Sequence, residues 1–160
     1  MFRLLAITLS AVLIGCAGTP ATQTMEDPAM LDFSTLDVPS SPNTWVIAPD
    51  GYLETAEPDA VAPVFAQDPA TVFATLVELV AATPRTSNIT TDSELRQVSY
   101  TARVAFTIFR DDIDIAVLEA DDGGATLVAY SRSRVGYSDF GVNEKRLTKL
   151  VANLTAALSS

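Results

Sequence analysis

One short run concentrates the chemistry of this chain: SRSRVGYSDFGVN, Ser131 to Asn143, followed at Arg146 by a third guanidinium. Strand alternation puts Arg132 and Arg134 on one face and Ser131 and Ser133 on the other. Gly136 and Gly141 bracket a tight connection, after which Asp139, Asn143 and Arg146 follow one side of the start of a helix. Guanidiniums hold phosphate or carboxylate through two parallel bonds. The free N–H groups of a helix N-terminus also favour anions. The set Ser131, Arg132, Ser133, Arg134, Asp139, Asn143 and Arg146 therefore reads as a cradle for a small anionic ligand. It reads equally as a structural clasp between the last strand and the last helix. In that case Asp139 caps the helix and pairs with Arg132 or Arg134, while Asn143 satisfies loop carbonyls. A third reading is enzymatic, with Asp139 or Tyr137 as acid–base group and the arginines stabilising an oxyanion.

Other chemistries are removed by composition. There is no histidine and a single cysteine, Cys16. Ser-His-Asp and Cys-His catalysis are thereby excluded, as is a zinc site of ordinary type. No cofactor, metal site or catalytic residue is assigned. Asp111, Asp112 and Asp114, or Asp121 and Asp122, offer oxygen ligands for calcium, but without EF-hand spacing; the expectation is that both clusters are solvated turn acids.

The charge is strongly negative and uneven. The 160 residues carry a formal net charge of −10. Ala17 to Pro84 contains ten acidic residues and no Lys or Arg; the nine basic residues beyond Arg3 all lie between Arg85 and Lys149. Such a chain is repelled by nucleic acid, which is excluded as a partner. Against this background Arg132 and Arg134 stand out.

The elements that must position these residues follow from periodicity. Thr44 to Ala48 is a short apolar run suited to a first strand, and Tyr52 to Gln67, with Pro58 and Pro63, reads as extended coil. Asp68-Pro69 opens a helix, with Asp at the N-cap and Pro in the first turn. Val72, Phe73, Leu76, Val77, Leu79 and Val80 form its apolar face, and Thr83-Pro84 ends it. Thr86–Thr91, Tyr100–Ile108, Ile113–Leu118 and Ala125–Val135 read as strands, the middle two by clear alternation. Arg110-Asp111-Asp112 and Asp121-Asp122-Gly123-Gly124 read as turns. Phe140 to Leu158 is the last helix. The fold class is α+β: a two-layer sandwich with a mostly antiparallel sheet of about four to five strands and two main helices on one face.

The N-terminus is a targeting segment. Arg3 precedes an apolar run, Leu4 to Ile14, of signal-peptide length and too short to span a bilayer. Leu13-Ile14-Gly15-Cys16 resembles a bacterial lipobox, which implies cleavage after Gly15 and diacylglyceryl transfer to Cys16, with palmitate among the possible acyl chains. By resemblance to the usual bacterial sorting rule, Ala17 in place of an aspartate implies the outer membrane, facing the periplasm. The organisation is residues 1–15 signal peptide, 16–41 lipidated cysteine and flexible tether, and 42–160 a single domain.

Ser131 to Asn143 with Lys145-Arg146 closely resembles the closing motif of the bacterial and plastid domain-of-unknown-function family fourteen-ninety-nine. Ser41-Pro42-Asn43, Pro63-Val64, Pro84-Arg85, Tyr100, Arg103 and Phe109 before Asp111-Asp112 extend the resemblance over roughly residues 41–155. The family usually has Phe-Pro-Asp where this chain has Phe109-Arg110-Asp111, and often Asn-Arg-Lys-Arg where it has Asn143-Glu144-Lys145-Arg146. The resemblance implies a shared fold and site, not a reaction. The functional expectation is a lipid-anchored envelope protein that binds a small anionic ligand or lipid headgroup. The alternative is an envelope scaffold contacting a protein partner through the acidic, proline-bearing segment Asp50 to Asp68, with a hydrolase-type enzyme as a third reading.

Overall fold

A computed structural model describes residues 30–105, 107–121 and 123–160. Residues 1–29, which hold the expected signal peptide, Cys16 and most of the expected tether, lie outside the described residues, as do Phe106 and Asp122. After a single 3-10 turn at Phe33–Thr35 the order is β1 (Thr44–Ala48), β2 (Ala60–Val61), α1 (Pro69–Ala82), β3 (Thr86–Asp92), β4 (Gln97–Arg103), β5 (Arg110–Glu119), β6 (Ala125–Ser133) and α2 (Val142–Leu158). The six strands form one sheet in the order β2-β1-β6-β5-β4-β3. All pairings are antiparallel except β1 with β2. The α+β class holds, with one more strand than the upper expectation. The addition is the two-residue β2, inside the segment expected to be coil.

The helices pack on one face. Asp68 caps α1 by accepting from the Ala70 and Thr71 N–H groups, and Pro69 follows it. Val72, Leu76 and Val80 are fully buried along one stripe of α1, facing Ile113, Ile115 and Leu127 of the sheet and Leu147 and Leu154 of α2. The helix ends as Thr83-Pro84 predicts.

Boundaries depart from expectation at both ends of β4, at the start of β5, at the end of β6 and at the start of α2. β4 stops at Arg103 rather than Ile108, because Val104 N–H donates to the Phe109 carbonyl and closes a turn. Arg110-Asp111-Asp112, expected as a turn, instead opens β5. Alternation alone does not say where a hairpin folds back. The last helix begins at Val142, two residues late, because Phe140 (φ 56°) and Gly141 (φ 75°) are left-handed and interrupt the helical path.

The opposite, outer face of the sheet is divided. Its lower half, with Val46, Ala48, Ala116 and Val128, is covered by Phe33, Leu36 and Leu53 from the segments flanking β1. Its upper half is polar and open.

The close-packed helical layer makes a direct prediction. Leu76→Ala should lower the unfolding free energy by about 2–5 kcal/mol in urea denaturation; a loss well under about 1 kcal/mol would contradict tight packing of α1 on the sheet.

Candidate functional site

Strand β6 sends its polar residues to both faces of the sheet. On the helix face lies a buried network. Ser131 donates to Asn143 Oδ1 at 2.6 Å, and Asn143 Nδ2 donates to the Asn43 carbonyl at 2.8 Å and to Ser133 Oγ at 3.2 Å. Arg146 donates through Nη1 to Ser131 Oγ and Asn143 Oδ1, and through Nη2 to Asp111 Oδ2 at 2.5 Å. Asn143 and Ser131 are completely buried, and Asp111 nearly so. These groups join α2, β6, β5 and the residue before β1, and each satisfies another's hydrogen-bonding capacity.

Asp139 belongs to the same end of the fold. Its two carboxylate oxygens accept the N–H groups of Gly141 and Asn143 at 2.9 and 2.7 Å. The capping expectation is met in kind, but the expected pairing of Asp139 with Arg132 or Arg134 does not occur: alternation carries both arginines through to the other face. Tyr137, the other acid–base candidate, is 76% exposed.

On the outer face Arg132 and Arg134 sit beside two carboxylates. Asp112 lies directly opposite Arg132 in the β5–β6 register, and Asp114 opposite Tyr130. The ion pairs run diagonally: Arg132 Nη1 to Asp114 Oδ2 at 2.8 Å, and Arg134 through Nε and Nη2 to Asp112 at 2.7–3.1 Å. Ser99 donates to Asp114 at 2.5 Å, Arg134 Nη2 also reaches Thr101 Oγ1 at 3.2 Å, and the Arg132 guanidinium lies 5.2 Å from the Tyr130 ring centroid. Asp111, Asp112 and Asp114 are therefore not solvated turn acids. All three are strand residues, each matched to an arginine. No group of acidic residues able to hold a metal occurs among the described residues.

These outer-face pairs wall a groove of about 380 Å³, completed by Asn88, Thr90, Ser99, Thr101 and Met30. Among the described residues Arg132 Nε and Nη2 and Arg134 Nη1 have no partner, so donors remain for a guest. Burial alone would raise the Asp112 pKa, but the Arg134 hydrogen bond and charge, with Arg132 and Thr101, outweigh it and hold the carboxyl below its ordinary value of 3.8.

The sequence-based set thus divides in two. Ser131, Ser133, Asp139, Asn143 and Arg146 form one connected structure on the helix side, and Arg132 and Arg134 stand in the groove. Asp112, Asp114, Ser99, Thr101, Asn88 and Thr90 were missed as groove residues. A signal for the first two was present: acids two apart on one strand and arginines two apart on another are a cross-strand charge match.

The model of the family described as protein of unknown function (DUF1499) matches residues 32–154. The chain belongs to the DUF1499 family. A search of curated proteins finds no match. The DUF1499 match opens at Asp32, beside the buried Phe33, and closes at Leu154, the last fully buried residue of α2. The family unit therefore spans the buried network and every groove residue except Met30. No helix among the described residues of this DUF1499 chain is long and apolar enough to cross a membrane.

Two predictions follow from the charge pairs. Arg146→Met leaves Asp111 buried without its partner and should cost about 3–5 kcal/mol in urea denaturation, most of it recovered by adding Asp111→Leu; a neutral single variant would contradict a buried, tightly coupled pair. A depressed carboxyl pKa contributes stability above the unfolded value and loses it as pH falls through the folded one. Carbon-detected NMR of Asp112 should therefore show a midpoint below 3.8 in the wild type and an upward shift in Arg134→Ala; identical midpoints would remove Arg134 as the cause.

Proposed function

We propose that this DUF1499 protein is a lipid-anchored binding module of the bacterial envelope whose outer-face groove takes a small anionic ligand, with a lipid headgroup as the favoured source. The observation that carries this reading is the position of Arg134. It lines the polar groove and also a small apolar recess with Ile108, Phe109 and Val135. Ile108 is 85% exposed, and Phe109 and Val135 are more than half exposed. Exposed apolar side chains continuous with guanidinium donors suit a molecule with a polar head beside hydrocarbon.

Electrostatics supports the same direction. The Arg132–Asp114 and Arg134–Asp112 pairs cancel in net charge, but Arg103 and Arg110 extend the arginine row on the same face. Neither has a carboxylate partner among the described residues. The open end of the groove is therefore positive on a chain of net charge −10. The two carboxylates hold the arginines in place before any ligand arrives, which lowers the ordering cost of binding.

The tether fits this placement. Met30 lines the groove, and Ser99 Oγ lies 3.7 Å from its sulfur. The residues from Cys16 to Met30 span at most about 50 Å when extended, so acylation of Cys16 would keep the groove close to an outer-membrane surface. A scaffold role has one observation of its own: Val61 and Val64, within the acidic proline-bearing segment, are each 61% exposed at the edge of the sheet.

Native mass spectrometry of the full chain, extracted gently from membranes, tests the proposal against Arg132→Lys/Arg134→Lys. Lysines keep the ion pairs but lose the forked donors. Bound mass in the wild type that is lost in an equally stable variant is the expected result. No bound mass in the wild type, or mass retained by the variant, would overturn the groove as a ligand site and favour the scaffold reading.

A further inference from the structure

A second cleft, on the helix side of the sheet, has different chemistry. It is a space of about 410 Å³ between the C-terminal end of α1, β4 and α2. Arg146, Lys149, Leu150 and Asn153 bound it from one helical face of α2, and Arg85 and Tyr100 from the sheet side. No carboxylate lines it, although acids outnumber bases two to one in the chain. Arg146 is neutralised from behind by Asp111. Arg85 and Lys149 are exposed and make no ion pair among the described residues. The cleft therefore carries two uncompensated positive charges.

Two further features point to a ligand. Tyr100 lines the cleft with only 5% of its surface exposed, and no hydrogen bond from its hydroxyl occurs among the described residues, which leaves that hydroxyl open to the cleft. Burial pushes its pKa up to about 12, with Arg146 opposing, so the phenol remains a donor at neutral pH. Arg85 takes a left-handed backbone conformation, φ 64°, with its carbonyl held by the Arg103 N–H. Strain of this kind in a residue with a side chain is retained where surrounding structure imposes it, and such sites are enriched in function.

We propose that this cleft binds a phosphate monoester group, with Arg85 and Lys149 as its charge partners and Tyr100 as a neutral donor. Two free cations match a dianion better than a carboxylate. Leu79, Ala82, Pro84 and Leu150 form an apolar wall that favours an organic ester over inorganic phosphate. The site lies across the sheet from the Arg132–Arg134 groove, and Tyr100 is the residue that borders both. The ester's source is either a soluble metabolite or a phosphatidate-type lipid, which share this headgroup chemistry.

Isothermal titration of the full chain in detergent, in chloride buffer, tests the assignment with phenyl phosphate and inorganic phosphate. Saturable binding, tighter for phenyl phosphate, is expected. Arg85→Ser/Lys149→Ser removes two exposed, unpaired side chains and should weaken it by about tenfold or more. Tyr100→Phe should weaken it by a few-fold. Lys145→Ser, which removes an α2 cation outside the cleft, and Arg132→Lys/Arg134→Lys in the groove should leave it unchanged. Dihexanoyl phosphatidic acid binding more tightly than phenyl phosphate, with the same loss in Arg85→Ser/Lys149→Ser, would assign the lipid source; equal or weaker binding would assign a soluble ester. Absence of saturable phenyl phosphate binding, or full retention by the Arg85→Ser/Lys149→Ser variant, overturns the proposal.

Discussion

The Arg146–Asp111 pair is the interaction on which the rest of the structure depends. Removing two charges from water costs several kcal/mol per ion unless every remaining donor and acceptor is satisfied. Here the guanidinium also donates to Ser131 and Asn143, and Asn143 reaches the Asn43 carbonyl and Ser133. The network permits one seating of α2 against β5 and β6, because any shift along the helix would leave a buried charge unpaired. It also anchors the chain entering β1, and so the edge of the sheet that carries the outer-face cover.

Strand β5 shows how three neighbouring acids come to different uses. Asp111 faces the helices and meets Arg146, whereas Asp112 and Asp114 face outward and meet Arg134 and Arg132. The inner pair is almost dry. The outer arginines are partly solvated, with side-chain exposures of 36% and 45%, so solvent screening leaves little net stabilisation in those pairs. Their consequence is geometric: guanidiniums held beside hydroxyls in an open groove, with N–H groups unspent. One strand thus contributes a buried structural tie on one face and a row of partly solvated ion pairs on the other.

The distribution of charge gives the molecule two kinds of polar space. In the groove, anionic and cationic groups alternate, which suits a polar guest with hydroxyls as well as negative charge. In the helix-side cleft, cations and a phenol stand without acids, which suits a compact dianion. The sheet separates the two.

Local pattern determined a good deal of this. Asp68-Pro69 and Thr83-Pro84 bound α1 because capping and proline geometry act within a few residues. Alternation along β6 correctly divided Arg132 and Arg134 from Ser131 and Ser133, and the apolar stripes of both helices marked the covered face. Membership of the family was legible in the run from Ser131 to Asn143. Only the tertiary structure decided which acid meets which arginine. That choice rests on the register between β5 and β6 and on the docking of α2, which bring together residues 18 to 35 positions apart. Spacing offers a charge match between the two strands but does not fix which acid meets which arginine, so the sequence leaves Asp139 with partners that lie across the sheet and the aspartates of β5 in a turn.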